Sequence, residues 1–339
     1  MTSSRISYNI NTIFVPDRAT LTNHLLKIQP HWLMLSGTDN WNTRIRIKLP
    51  RTNVIFRESD NADMHKRMLP QQFLDDRRAK APYDSHLYLT DRPNISDAEF
   101  IMWTERVMDL AVEQNIKLCV GNFGAGQPQP SGWGNIRGIL DRLNQHRDLF
   151  VMGLQEYATG IITSGVGGGL PTMIRPLSWP TNVANVPLWH MGRYRNLMNY
   201  CQQEDIPVPR LVITHTGFDD MGDLSGWLNT LTRSENAPYI RGYRTLFRQW
   251  EKSDWLGGYF DTLGEMYFEQ LRWANDTLYK PFGAVEAQLI YCWGTAGFGM
   301  TDNTDSSMDV SQERAFHDTL EAWAQTQPDY LGYVDESTD

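Results

Sequence analysis

Cysteine is almost absent from this chain. Cys119, Cys201 and Cys292 are odd in number, far apart and free of any Cys-x-x-Cys spacing. That excludes a disulfide framework and a cysteine-built metal site. Cys119 and Cys292 fall inside predicted strands, where buried free thiols are at home. Long apolar runs are missing too: nothing approaches the roughly 18 residues of a membrane span. The start, Met1-Thr-Ser-Ser-Arg-Ile-Ser7, lacks the apolar core of a secretory signal. The expected location is therefore cytoplasmic, or outside the cell by a route without a standard signal, such as lysis. A basic surface is lacking as well, since the net charge is −9; nucleic acid and anionic membranes are poor partners for such a chain. No His-x-His or His-Glu-x-x-His spacing offers a metal site. Gly165-Val-Gly-Gly-Gly169 is followed by no Gly-Lys-Ser/Thr, so it is no phosphate loop, and there is no Gly-x-Ser-x-Gly elbow. Neither a metal nor a cofactor is expected.

What the chain has is alternation. Apolar runs that read as buried strands fall at 11–15, 31–37, 53–57, 85–90, 116–121, 149–154, 211–213 and 287–294. Helical patterns separate them at 19–28, 70–78, 97–114, 135–145, 189–204, 261–279 and 311–326, with Ser96 and Glu99 forming a predicted capping box. Eight strands alternating with helices predict a single-domain (β/α)8 barrel over residues 1–339. A doubly wound open sheet would need an early Gly-rich phosphate turn, and none is present. Two stretches, about 159–187 and 219–259, are too long for ordinary connections and read as rim insertions. With 12 Trp and 14 Tyr, there are aromatic faces to spare for sugar rings.

Barrel enzymes carry their chemistry where strands end. The strand ends here read Asp91-Arg-Pro-Asn94, Gly121-Asn-Phe-Gly-Ala-Gly-Gln-Pro128, Gln155-Glu-Tyr157, Thr214-His-Thr-Gly217 and Trp293-Gly294, with Gly192-Arg-Tyr-Arg195 early on the helix after the sixth strand. In this order they resemble the large clan of retaining barrel glycoside hydrolases. That clan places Asn-Glu-Pro after strand four and a nucleophilic Glu, within Thr-Glu-x-Gly, after strand seven. The resemblance implies an oligo- or polysaccharide ligand. It also exposes two departures, because the acid/base slot holds Arg92 and the nucleophile slot holds His215. Retaining cleavage needs two carboxyls roughly 5–5.5 Å apart. A guanidinium exchanges no proton at working pH, and an imidazole, though able to act as acid or base near neutrality, is a poor glycosyl trap.

The favoured reading is thus a glycoside-hydrolase-like barrel that grips carbohydrate without cutting it. Its binding candidates are Arg92, His215, Asn122, Tyr157, Trp293, Asp39, Trp41 and Arg193. An alternative is an active glycosidase whose dyad pairs Glu156 with Asp91 or Asp219, an inverting version requiring a gap of roughly 6.5–9.5 Å. Glu156 reads better as a hydroxyl ligand or as an ion-pair partner of Arg92 or Arg193, and Asp219 better as a turn or capping residue. A third alternative is a structural protein, a homo-oligomer or part of a larger assembly, marked by a large exposed apolar patch.

Overall fold

The computed structural model describes residues 5–12, 18–58, 63–124, 127–128, 130–156, 158–159, 192–219, 263–293 and 310–328. Strands and helices alternate through them as β1 (Ile6–Asn11), α1 (Arg18–Ile28), β2 (Trp32–Ser36), α2 (Asn40–Lys48), β3 (Asn53–Arg57) and α3 (Pro70–Lys80). There follow β4 (His86–Tyr88), α4 (Ala98–Glu113), β5 (Leu118–Phe123), α5 (Arg137–Gln145), β6 (Phe150–Gln155) and α6 (Tyr194–Gln203). The last turns of the cycle are β7 (Leu211–Thr216), α7 (Leu263–Trp273), β8 (Val285–Trp293) and α8 (Val310–Gln325). All strands pair in parallel and close in the order β1-β8-β7-β6-β5-β4-β3-β2. The chain is a (β/α)8 barrel.

The strands read as unbroken apolar runs because both of their faces are covered. Trp32, Met34, Ile55, Tyr88, Cys119, Val151, Val212, Ala287 and Leu289 fill the inside of the barrel. Their neighbours Leu33, Leu35, Val54, Phe56, Leu118 and Val120 join the separate layer between strands and helices. Alternate residues therefore belong to different compartments. One-residue bulges break that alternation, two of them at the rim ends of β5 and β7. Leu154 pairs with Ile213 but Gln155 with His215, which makes Thr214 the extra residue in β7. Gly121 pairs with Gly153 and Phe123 with Leu154, which makes Asn122 the extra residue in β5, at φ +54°. Gly153 has to be glycine, since a Cβ there would overlap the Asn122 amide.

Three sequence expectations need correction. The first strand spans Ile6–Asn11 and not 11–15; Ser7 and Asn9 alternate with Ile6, Tyr8 and Ile10, so no apolar run announces it. Residues 13–17 lie outside the described segments. The stretch after β2, expected as open rim, instead begins α2, with Asp39 as its cap. Finally, Asp97 and not Ser96 caps α4, its Oδ1 accepting from Glu99 N at 3.0 Å and Phe100 N at 3.3 Å.

Closure of the ring brings α1 against α8 through a buried polar chain. Tyr8 Oη meets His24 Nε2 at 2.8 Å and His317 Nδ1 at 3.0 Å. His24 Nδ1 lies 2.7 Å from Glu321, which also pairs with Lys27 at 3.0 Å. Burial first, then the neighbouring His317, lowers the His24 pKa to about 4.

Candidate functional site

Inward-facing residues at the C-terminal ends of β1, β3, β4, β6 and β7 meet in one polar network. Its centre is Asp91, just past β4. Arg57, the last residue of β3, donates from Nη2 to Asp91 Oδ2 at 3.1 Å. Tyr88 Oη donates to Oδ1 at 2.9 Å, and Gln155 Nε2 donates to the same oxygen at 2.6 Å. Gln155 is tied in turn to Arg92, whose Nε donates to Oε1 at 3.1 Å. The second nitrogen of Arg57, Nη1, reaches His215 Nε2 at 2.8 Å, and Asn9 Nδ2 stands 3.4 Å from that same ring nitrogen.

These contacts fix the imidazole. With two donors facing Nε2, the proton belongs on Nδ1, which donates to Thr214 Oγ1 at 3.2 Å. Burial and then the Arg57 guanidinium push the His215 pKa down to about 3. His215 is therefore neutral where the sequence suggested an acid or base titrating near neutrality. Asp91 takes the opposite sense. Burial works against its charge, yet Arg57 and the Tyr88 hydroxyl more than offset this and hold it below the ordinary carboxyl value. The bulge at Thr214 is what aims His215 inward, beside Val212, two rungs up the same strand.

Glu156 follows Gln155 by one residue and lies on the other side of the barrel wall. Its Oε2 accepts from Gly192 N at 2.6 Å and Tyr279 Oη at 3.1 Å, and its Oε1 from Tyr194 N at 2.7 Å. Only 1% of it is exposed. Burial raises its pKa to about 7 against the pull of those hydrogen bonds. The carboxyl thus caps the first turn of α6 and takes no part in the Asp91 network.

Other sequence candidates serve the scaffold. Asp39 Oδ1 accepts from Trp41 N, and its carboxylate pairs with Arg18 at 2.6 Å. Trp41 is buried in the first turn of α2 with its Nε1 on Thr22 Oγ1 at 3.1 Å. Asn122 folds back on its own bulge, donating to Cys119 O at 3.2 Å. Arg193 donates to Pro128 O at 2.8 Å. Of the rest, Tyr157 lies outside the described residues, as do the side chains of Asp219 and Trp293 and most of both insertions.

The sequence reading missed Arg57, Tyr88, Gln155 and Asn9. Strand parity carried the signal for three of them. Ile55 faces inward, so Arg57 does too; Cys119, Val151 and Val212 mark the same face, and from Val151 the count of two reaches Gln155. Among the described residues, no three His, Cys, Asp or Glu side chains gather as a metal site, and no helix is long and apolar enough to cross a membrane. A shallow depression of about 460 Å3 lies at the opposite end of the barrel, between Arg78, Tyr83, Asp84, Asn115 and Lys117.

No family model matches the chain, and no curated protein matches it either. Among solved structures it is similar to the Clostridial cellulose synthase subunit Z (CcsZ) from Clostridioides difficile. The identity there is 11% and the TM-score 0.45, over 92% of this chain and 98% of that one. It is also similar to XacCel5A in complex with cellopentaose, at 8% identity and TM-score 0.39, over 95% of this chain and 99% of that one.

Proposed function

We propose that the chain is a glycoside-hydrolase-like barrel that binds carbohydrate and has lost the hydrolytic pair. The supporting observation is the composition of the rim network. Its one carboxylate among the described residues, Asp91, is ionised and held by Arg57, while the two slots that the clan fills with Glu carry Arg92 and His215. Hydrolysis needs a protonated carboxyl to release the leaving group and a second carboxylate to trap the sugar or activate water. A cluster of amide, hydroxyl, guanidinium and neutral imidazole groups instead suits sugar hydroxyls, which donate and accept.

The test is a panel of oligosaccharides incubated with enzyme-level concentrations of the protein. Binding is followed by calorimetry and cleavage by release of reducing ends. Binding without single-turnover cleavage is expected. Cleavage that Glu156→Gln abolishes would overturn the reading in favour of an active glycosidase. One observation favours that second reading: a carboxyl with its pKa raised to about 7 is what a general acid requires. Against it stand the three donors already occupying the Glu156 oxygens. A purely structural role would call for a broad apolar face. Among the described residues the large exposed hydrophobics are Ile47, Leu69, Tyr83 and Met102, spread over α2, the approach to α3, the loop before β4, and α4.

A further inference from the structure

The rim network is unevenly charged. Among the described residues its ionised members are the guanidiniums of Arg57 and Arg92 and the carboxylate of Asp91, since His215 is neutral. Both Asp91 oxygens are taken: Oδ2 by Arg57, Oδ1 by Tyr88 and Gln155. Asp91 is paired directly with Arg57, and it meets Arg92 only through its field and through the shared Gln155 amide. Arg92 uses only Nε, on the neutral Gln155 amide, and is exposed. Its Nη1 and Nη2 make no hydrogen bond or ion pair with the described residues.

This outward guanidinium edge is not a loose surface side chain. The backbone of Arg92 sits at φ +47°, a left-handed conformation that costs a non-glycine residue energy. Its N–H is fixed on Asn122 O at 3.2 Å, and Pro93 restricts the chain immediately after it. The stem passes over Gly124, where a Cβ would come within 3.4 Å of Arg92 Cγ. With Nε anchored, the plane of the guanidinium and the direction of its free edge are both set. A left-handed residue followed by proline persists only where its surroundings hold it, as the Asn122 carbonyl and the Gln155 amide do here.

We propose that the ligand of this rim is an acidic glycan, with a hexuronate carboxylate gripped bidentate by Nη1 and Nη2 of Arg92. The inference rests on the carbohydrate-binding reading above. A neutral sugar would offer the outer edge of the Arg92 guanidinium only hydroxyl acceptors. A planar carboxylate matches the fork and neutralises it. Because the chain as a whole carries −9, the attraction is local to the rim and not a property of the whole surface.

Calorimetry decides it, using uronic-acid oligosaccharides, each paired with its carboxyl-reduced neutral form and with a sulfated neutral chain of equal length. The acidic member is expected to bind about ten- to a hundredfold tighter than its reduced twin. Added salt should shrink that preference, and Arg92→Gln should abolish it while leaving the circular dichroism spectrum unchanged. Equal binding of the acidic and reduced forms overturns the acidic-glycan inference and leaves the carbohydrate reading standing. A preference that survives in Arg92→Gln overturns the assignment to Arg92. Tighter binding of the sulfated chain replaces the carboxylate by a sulfate ester. If none of the sugars binds, the carbohydrate reading falls and this inference with it.

Discussion

At the scale of single residues, the site depends on how one guanidinium is shared. Arg57 places one nitrogen on Asp91 and the other on His215, so one cation keeps the carboxyl ionised and the imidazole neutral. Replacing Arg57 with Gln removes the positive charge 2.8 Å from Nε2. The His215 pKa should then rise from about 3, yet stay below 6.5, because burial is the larger cause. A pH titration of the His215 ring signals by NMR reads this directly. An unmoved titration would mean that burial alone sets it.

At the scale of elements, the start of α6 depends on a side chain from the end of β6. Helix N-termini leave backbone N–H groups without partners. Here the Glu156 carboxyl meets one of them, at Tyr194, and also the N–H of Gly192 just before the N-cap, from outside the helix. Gln in its place offers one acceptor oxygen instead of two and turns an amide donor toward a backbone N–H. A loss of about 1–3 kcal/mol in urea unfolding is expected for Glu156→Gln, with carbohydrate binding retained in the folded protein. If binding disappeared while stability held, Glu156 would be acting on the ligand and not on the helix. The bulge in β7 works at the same scale, since one inserted residue, Thr214, decides that His215 and not its neighbour faces the network.

For the molecule as a whole, acid sensitivity follows from histidines buried in neutral form. His24 has its pKa lowered to about 4, and His86 and His215 to about 3. In each, burial is the leading cause, and the unfolded chain takes up its proton near 6.5. The unfolded state therefore binds more protons as pH falls from about 6.5 toward 3–4, and stability is lost across that window. Glu156 has the opposite sign: its raised pKa makes its contribution greatest at low pH and lost as pH rises from 4.5 through about 7. Three groups outnumber one, so urea midpoints should drop between pH 7 and pH 4.5. His24→Gln should remove on the order of 3 kcal/mol of the full drop. A midpoint flat across that range would contradict the neutral assignments. His24 also joins the first helix to the last, so its protonation would press on the seam where the ring closes.

Much of this was legible in the chain itself. A strand sandwiched between barrel interior and helices must be apolar on both faces, so seven of the eight strands show as local runs, and their alternation with helices gives the barrel. The eighth, β1, was misplaced, because its inward residues Ser7 and Asn9 are polar and break the run. Arg92 and His215 were legible as residues at strand ends, and one network holds both. What they touch was another matter. Gln155 and Glu156 are adjacent letters with similar chemistry, and the carboxylate looked the better candidate. The barrel wall passes between them, sending the amide to Asp91 and the acid to a helix end. Local pattern settles which segments are strands, since burial of both faces leaves its mark in composition. The face each side chain takes depends on registers and single-residue bulges fixed by neighbouring strands far away in sequence, and only the closed barrel decides those.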